Sequence, residues 1–449
     1  MKNLDLTTGS IPKRLTQLTL PMMLGIISMV AFNLIDTYFV GQLGKRELAA
    51  LSFTFPVIMV IFSVVQGLGI GATALISQSI GKGKIDKARR ETTDSLLLGV
   101  MIAGVFILLG LATMEPIFRL IGVSEDLMPL VTSYMTIWYL AVFFVTIPFI
   151  GNSAIRAVGD ARTPSFIMLF AVLINAILDP ILIFGWGPIP SMGLRGAAIA
   201  TAISRSLTMV LSLYILYYRE RLVTLSIPTL DILRGCWKAI LGIALPSSAS
   251  RLVVPVATGI ITAFLAQYGD HAVAAFGVGS RLEFLAMSVL FALAASIGPF
   301  AGQNLGKNNI LRIRQCLNIS ARFSIIYGLA LWLILALVAR PIAEVFSEDP
   351  KVVEVVVWFL YILPASFGMQ GVTSAVNSSL NTIGRPMPAF WIILIQMIAA
   401  AVPLVYFGSL LFDELGIFGG LTIAYLIGGV LSLVLHHRYL RQLEQPTPA

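Results

Sequence analysis

Cysteine, histidine and charge are all scarce in this chain. Two cysteines, Cys236 and Cys316, give no disulfide framework, and together with three histidines they match no metal-ligand spacing. Redox chemistry and a resident metal are therefore not expected. Charged residues make up 12% of the 449 positions and hydrophobic ones 57%, with a mean hydropathy of +0.91. No ordinary soluble domain has that composition, so the chain reads as a polytopic membrane protein. The net charge of +8 would suit a nucleic-acid binder, but the basic residues sit in short segments between apolar runs, where they set topology. No nucleic-acid partner is expected. Also missing are HExxH, a nucleophile elbow and any loop cluster of histidine and acid, which argues against a membrane transferase or other enzyme and against a cofactor. No ring of pore-lining charge points to an ion channel.

What the chain has is a series of apolar segments. They fall near 14–40, 50–78, 92–113, 127–151, 164–186 and 194–217, then near 239–266, 276–302, 316–339, 352–376, 388–411 and 417–437. Segments of about 20 apolar residues satisfy their own backbone in lipid as helices, whereas barrel strands would be shorter and alternating. The first run, Leu18 to Val40, is followed by no small-residue cleavage site and is expected to stay as span one. Twelve spans place both termini on one side. Lys13 and Arg14, the run from Lys82 to Arg90, Arg156 and Arg162, Arg219 to Arg234, Lys307 to Arg314, Arg385, and Arg438 and Arg441 mark that side as basic. The alternate loops are cation-poor, and "SED" at 124–126 and "FDEL" at 412–415 are acidic. The positive-inside rule then puts both termini in the cytoplasm. The stretch from Lys82 to Arg90 reads as topogenic and in contact with anionic lipid.

The two series match each other. Pro21 in "LTLP" pairs with Pro246 in "IALP", Gln42 in "VGQLG" with Gln267 in "LAQYG", and "SQSIGKG" at 77–83 with "GQNLGKN" at 302–308, always 225 residues apart. "NSAIRAVG" at 152–159 and "NSSLNTIG" at 377–384 keep the offset, and "MGLRGA" at 192–197 against "LGIFGG" at 415–420 shifts it by two. The expected architecture is an all-α polytopic membrane protein of twelve transmembrane helices. Two six-helix lobes, at 1–217 and 239–449, are joined by a cytoplasmic linker at 218–238. Because six is even, a pseudo-two-fold axis along the membrane normal relates the lobes. With its twelve spans, this duplication, the early prolines and the "QSIGKG" and "QNLGKN" loops, the chain resembles the multidrug and toxic compound extrusion (MATE) transporters over nearly its whole length.

Polar residues converge in the first lobe. Span one runs outward with Asp36 in its outer half. Span five places Asn175 and Asp179 one turn apart on one face, and span six carries Thr201 on the face of Gly193 and Ala197. Tyr134 in span four lies at a comparable depth. An ionised aspartate facing lipid costs a few kcal/mol, so these groups should face one another. Two carboxylates in one poorly solvated pocket cannot both ionise cheaply, which gives a proton or small cation a reason to bind there. The competing reading is interhelical glue, worth roughly 0.5–2 kcal/mol per contact. Carboxylates are a costly choice for glue.

Within the MATE family the pattern is similar to the DinF-like branch. The resemblance implies a proton or sodium site at Asp36, Asn175, Asp179 and Thr201. The repeat equivalent of Asp36 is Ile261, and spans seven and ten hold no carboxylate, unlike the NorM-like branch with its C-terminal acids. Pro21 would serve as a hinge in span one; the alternative is a fixed kink inherited by duplication.

Asn33 and Arg251 are candidates for the cavity wall. Arg251, Arg281 and Glu283 either pair structurally or line that cavity, Asn152 and Asn377 read as helix-terminal caps, and His436 and His437 form no metal set. The resemblance implies a monomeric antiporter that confers drug resistance. It would export amphipathic or cationic drugs and toxins for protons, with sodium as second choice, by alternating access. The 26 Phe and 16 Met residues offer a repackable wall, most of them facing lipid or core. A lipid-linked saccharide flippase is the nearest rival. It would need a more cationic cavity, for which Arg251 and Arg281 are the candidates.

Overall fold

The computed structural model describes residues 5–226 and 229–444, and nearly all of them are helical. In order come α1 (Ile11–Gly41), α2 (Lys45–Gly81), α3 (Ile85–Ala112), α4 (Met114–Ile121), α5 (Met128–Ala157), α6 (Arg162–Phe184) and α7 (Gly193–Tyr214). A second series follows: α8 (Leu230–Ala266), α9 (Asp270–Gly306), α10 (Ile310–Leu337), α11 (Ala339–Phe346), α12 (Pro350–Ile362), α13 (Phe367–Thr382), α14 (Pro386–Leu394) and α15 (Val402–Glu444). The repeat is visible in the boundaries: α2, α3 and α4 recur 225 residues later as α9, α10 and α11 with the same two ends.

Among the described residues, eleven stretches are long and apolar enough to cross a membrane, one of them the 57-residue Pro386–Gln442. That stretch is two spans. The backbone turns back at Phe412 and Asp413, the latter at φ 51°, where Gly408 and Gly416 meet so closely that any side chain on either would strike the other's carbonyl. Twelve spans result, as the hydropathy pattern predicts. The helices run past the apolar segments at several ends, because helical hydrogen bonding does not stop where hydropathy falls. The expected linker to 238 is likewise helical from Leu230.

Two compact units emerge. One comprises Leu20–Leu245; the other comprises Leu6–Thr19 with the chain from Pro246 onward. The partition thus cuts α1 beside Pro21 and α8 at Pro246, within helices that are continuous on either side.

In the first unit, α5 packs against α2, α3 and α7, and α6 lies on α7. Its core is built on Val131, Tyr134, Met135, Trp138, Tyr139 and Val142 of α5. In the second unit, α13 has the central place, against α9, α10 and α15. The run from Lys82 to Arg90 also makes contacts within the first unit. Arg89 and Arg90 donate to the carbonyls of Arg221 and Ser226 at 2.7 and 2.5 Å, and Thr93 Oγ1 accepts from the Thr224 amide at 3.0 Å, so α3 holds the strand of linker that leads to α8. Buried Asp94 pairs with Arg90 at 2.5 Å.

Candidate functional site

The acidic cluster lies inside the first unit. On α6, Asn175 Nδ2 donates to Asp179 Oδ1 at 3.0 Å, and both side chains are 0% exposed. The bond follows from their spacing, since positions four apart stack on one helix face. Pro180 comes next and has no N–H for the Ala176 carbonyl one turn back, which loosens the helix beside the acid. The α6–α7 approach depends on small residues. A Cβ on Gly196 would collide with the Leu182 carbonyl, so that position must stay bare for α7 to pack this closely on α6.

Asp36 of α1 interacts electrostatically with Asp179, and Tyr134, 3% exposed on α5, is within electrostatic reach of both acids. Thr201 is buried on α7, its carbonyl accepting from Ser204, and no hydrogen bond ties its hydroxyl to either carboxylate. Asp36 Oδ1, Asp179 Oδ2 and Asn175 Oδ1 are buried acceptors without a hydrogen-bond partner. Buried acceptors are normally satisfied, because leaving one bare costs about 1–3 kcal/mol or more. Orphaned oxygens from two helices, two of them on carboxylates, are acceptors that a proton or a small cation would satisfy.

The structure also places groups that the sequence pattern left out. Arg205, one turn beyond Thr201, is within electrostatic reach of Asp36, and its guanidinium lies over the Phe32 ring at 4.4 Å. The signal was present: Arg205 follows Thr201 by four residues, and Phe32 precedes Asp36 by four.

Other expectations are corrected. Asn152 is no cap: it is buried within α5, five residues before its end, and accepts from Ser212 of α7 at 3.4 Å. Asn377 is also inside its helix, α13, with a buried Oδ1 that has no hydrogen-bond partner. Glu283 has no ion pair with Arg251 or Arg281. It accepts instead from Gln370 Nε2 at 3.1 Å, near Tyr425, while both arginines are exposed. Asn33 is exposed and its amide donates back to the Met29 carbonyl at 3.0 Å, so it does not join Asp36. Among the described residues no group of three or more His, Cys, Asp or Glu could hold a metal.

Comparison with known proteins agrees with this framework. The MatE family model matches twice, at 21–181 and 246–407, one match per repeat. An FAD transporter of Shewanella oneidensis is 36% identical over 98% of both chains. The multidrug export protein MepA of Staphylococcus aureus is 25% identical over 92% of this chain and 90% of its own. Among solved structures, the Vibrio cholerae MATE transporter VcmN in its bent form superposes with a TM-score of 0.92 at 30% identity, covering 96% of this chain and 98% of that one. The fold, the duplicated match and the full-length relatives converge: this chain belongs to the MATE family of membrane transporters, and it is a transporter rather than an enzyme.

Proposed function

We propose that the protein is a secondary active exporter of the DinF-like type in a bacterial inner membrane, with both termini cytoplasmic. It exchanges inward-moving protons for amphipathic or cationic drugs. The observation that carries this is the pair of carboxylates on α1 and α6, Asp179 buried and Asp36 partly so, each with a buried oxygen left unsatisfied. A group able to hold a cation at one membrane face and release it at the other is what coupling requires, provided ion and substrate bind the alternating states unequally. Sodium remains the second choice of ion, because carboxylate, amide and hydroxyl oxygens suit both. Asp36 and Asp179 carry the exchanged charge, Asn175 orients Asp179, and Tyr134 and Thr201 complete the polar wall. Pro21, beside the point where α1 passes between the two units, is the position at which the helix would bend.

A second reading has its own support. The FAD transporter matches more closely than MepA, over nearly the full length of both chains. On that reading the cargo is a flavin dinucleotide and the coupling site is unchanged. Efflux of ethidium and of FAD from proteoliposomes, each under a pH gradient and then a sodium gradient, tests both readings. Ethidium efflux driven by the pH gradient and lost in Asp36→Asn supports the proposal; FAD efflux alone moves the cargo to the second reading. Efflux unaffected by Asp36→Asn overturns the coupling assignment.

A further inference from the structure

Among the described residues, Arg205 is the one charged group beside the acids for which the proposed exchange has no use. It lies 12 residues into α7, about 18 Å along the helix from Gly193, inside a segment long and apolar enough to cross a hydrocarbon core roughly 30 Å thick. A cation at that depth is expensive and rarely without function. Its Nε is buried with no hydrogen-bond partner, as is Asp36 Oδ1, yet the two side chains form no ion pair. The guanidinium rests on Phe32, one helical turn before Asp36, within the range of a cation–π contact. Two opposite charges within electrostatic reach, each with one buried atom left unsatisfied, describe a pair that is open here.

The repeat supplies an independent observation. With the two-residue shift that applies to these helices, Arg205 corresponds to Gly428, and Asp36 corresponds to Ile261. The second unit lacks the carboxylate and the guanidinium together. A structural arginine that merely packs on a ring would have no reason to be tied to a carboxylate on another helix.

We propose that Arg205 is the resident counter-ion of Asp36, a tethered cation that neutralises the carboxylate once the transported cation has left and withdraws onto Phe32 when that cation is bound. The inference rests on Asp36 as the coupling residue. It explains how the cargo-loaded carrier, with its coupling cation gone, can cross the membrane without a bare buried charge. Around Asp36 the ionisable groups are Tyr134 on α5, Asp179 on α6 and Arg205 on α7, and Arg205 is the cation among them.

The test needs no substrate. Purified protein in lipid nanodiscs is titrated with pH while the infrared carbonyl stretch of protonated carboxyl groups is recorded, and the band lost in Asp36→Asn is assigned to Asp36. In Arg205→Gln the midpoint of that band should move to higher pH by at least about one unit, a tenfold gain in proton affinity. Arg205→Lys should stay close to wild type. Phe32→Ala, which removes the resting place, should move the midpoint the other way. An Asp36 band whose midpoint ignores Arg205→Gln overturns the counter-ion while leaving the coupling site intact. If Arg205→Gln does not insert, an unmoved midpoint in Phe32→Ala overturns it equally. If no titrating band disappears in Asp36→Asn, the coupling reading itself falls and this inference with it.

Discussion

The two units are repeats of one helical plan, and the same positions have opposite chemistry in each. Asp36, Tyr134, Asn175, Asp179 and Thr201 of the first correspond to Ile261, Phe359, Ala400, Leu404 and Ala424 of the second. All five of these are part of, or packed against, one apolar cluster of the second unit. The reverse also holds. Glu283, Gln370 and Tyr425 map onto Ile58, Val145 and Ala202 in the first unit. A single backbone arrangement thus supports either a polar pocket or a dry core at a given place. The helices supply the positions, and the side chains decide whether a charge can reside there.

The largest break in that contrast is the transfer of a charge to the dry side. Ile261→Asp places a carboxylate in an apolar cluster, and should cost roughly 2.5–3.5 kcal/mol or prevent insertion. Thermal denaturation in detergent, set beside the reverse change Asp36→Ile, reads this directly. Asp36→Ile should be stable and inactive; an active Asp36→Ile protein would erase the distinction between the units. Next, Asp179→Asn keeps the hydrogen-bonding shape of the pair with Asn175 and removes the charge. Ion-driven efflux should fall by about tenfold or more, with ethidium binding retained. Initial rates in proteoliposomes check it.

Glu283→Gln tests whether the second unit's own acid takes part. An amide can still bond to Gln370, so the change should alter stability by no more than about 0.5–1.5 kcal/mol and leave the pH dependence of efflux in place. A lost pH response would make the units functional equals. The smallest effect belongs to Asn33→Ala. An exposed amide bonded to its own helix should shift stability by less than about 0.5 kcal/mol and efflux by less than twofold.

Much of this was legible in the sequence, for a physical reason. Lipid leaves the backbone one solution, so every apolar run became a helix, and the fixed offset between Pro21 and Pro246 announced the duplication. The pair Asn175 and Asp179 was readable because spacing of four is a contact on a helix. Arg205 escaped because only acids, amides and hydroxyls were matched across helices, although its spacing from Thr201 is the same. Asn152 was misplaced because a span's end in hydropathy is not its end in hydrogen bonding; α5 runs on to Ala157. Glu283 was misassigned because a partner on another helix, Gln370, is 87 residues away and shares no local pattern with it.

The turn at Phe412 and Asp413 has a consequence for how the chain is made. With Gly408 and Gly416 in mutual contact, only a few residues separate the end of one span from the start of the next. So short a connection cannot cross the bilayer while either helix waits behind. The last two spans therefore enter lipid as one hairpin, with Asp413 and Glu414 at its tip.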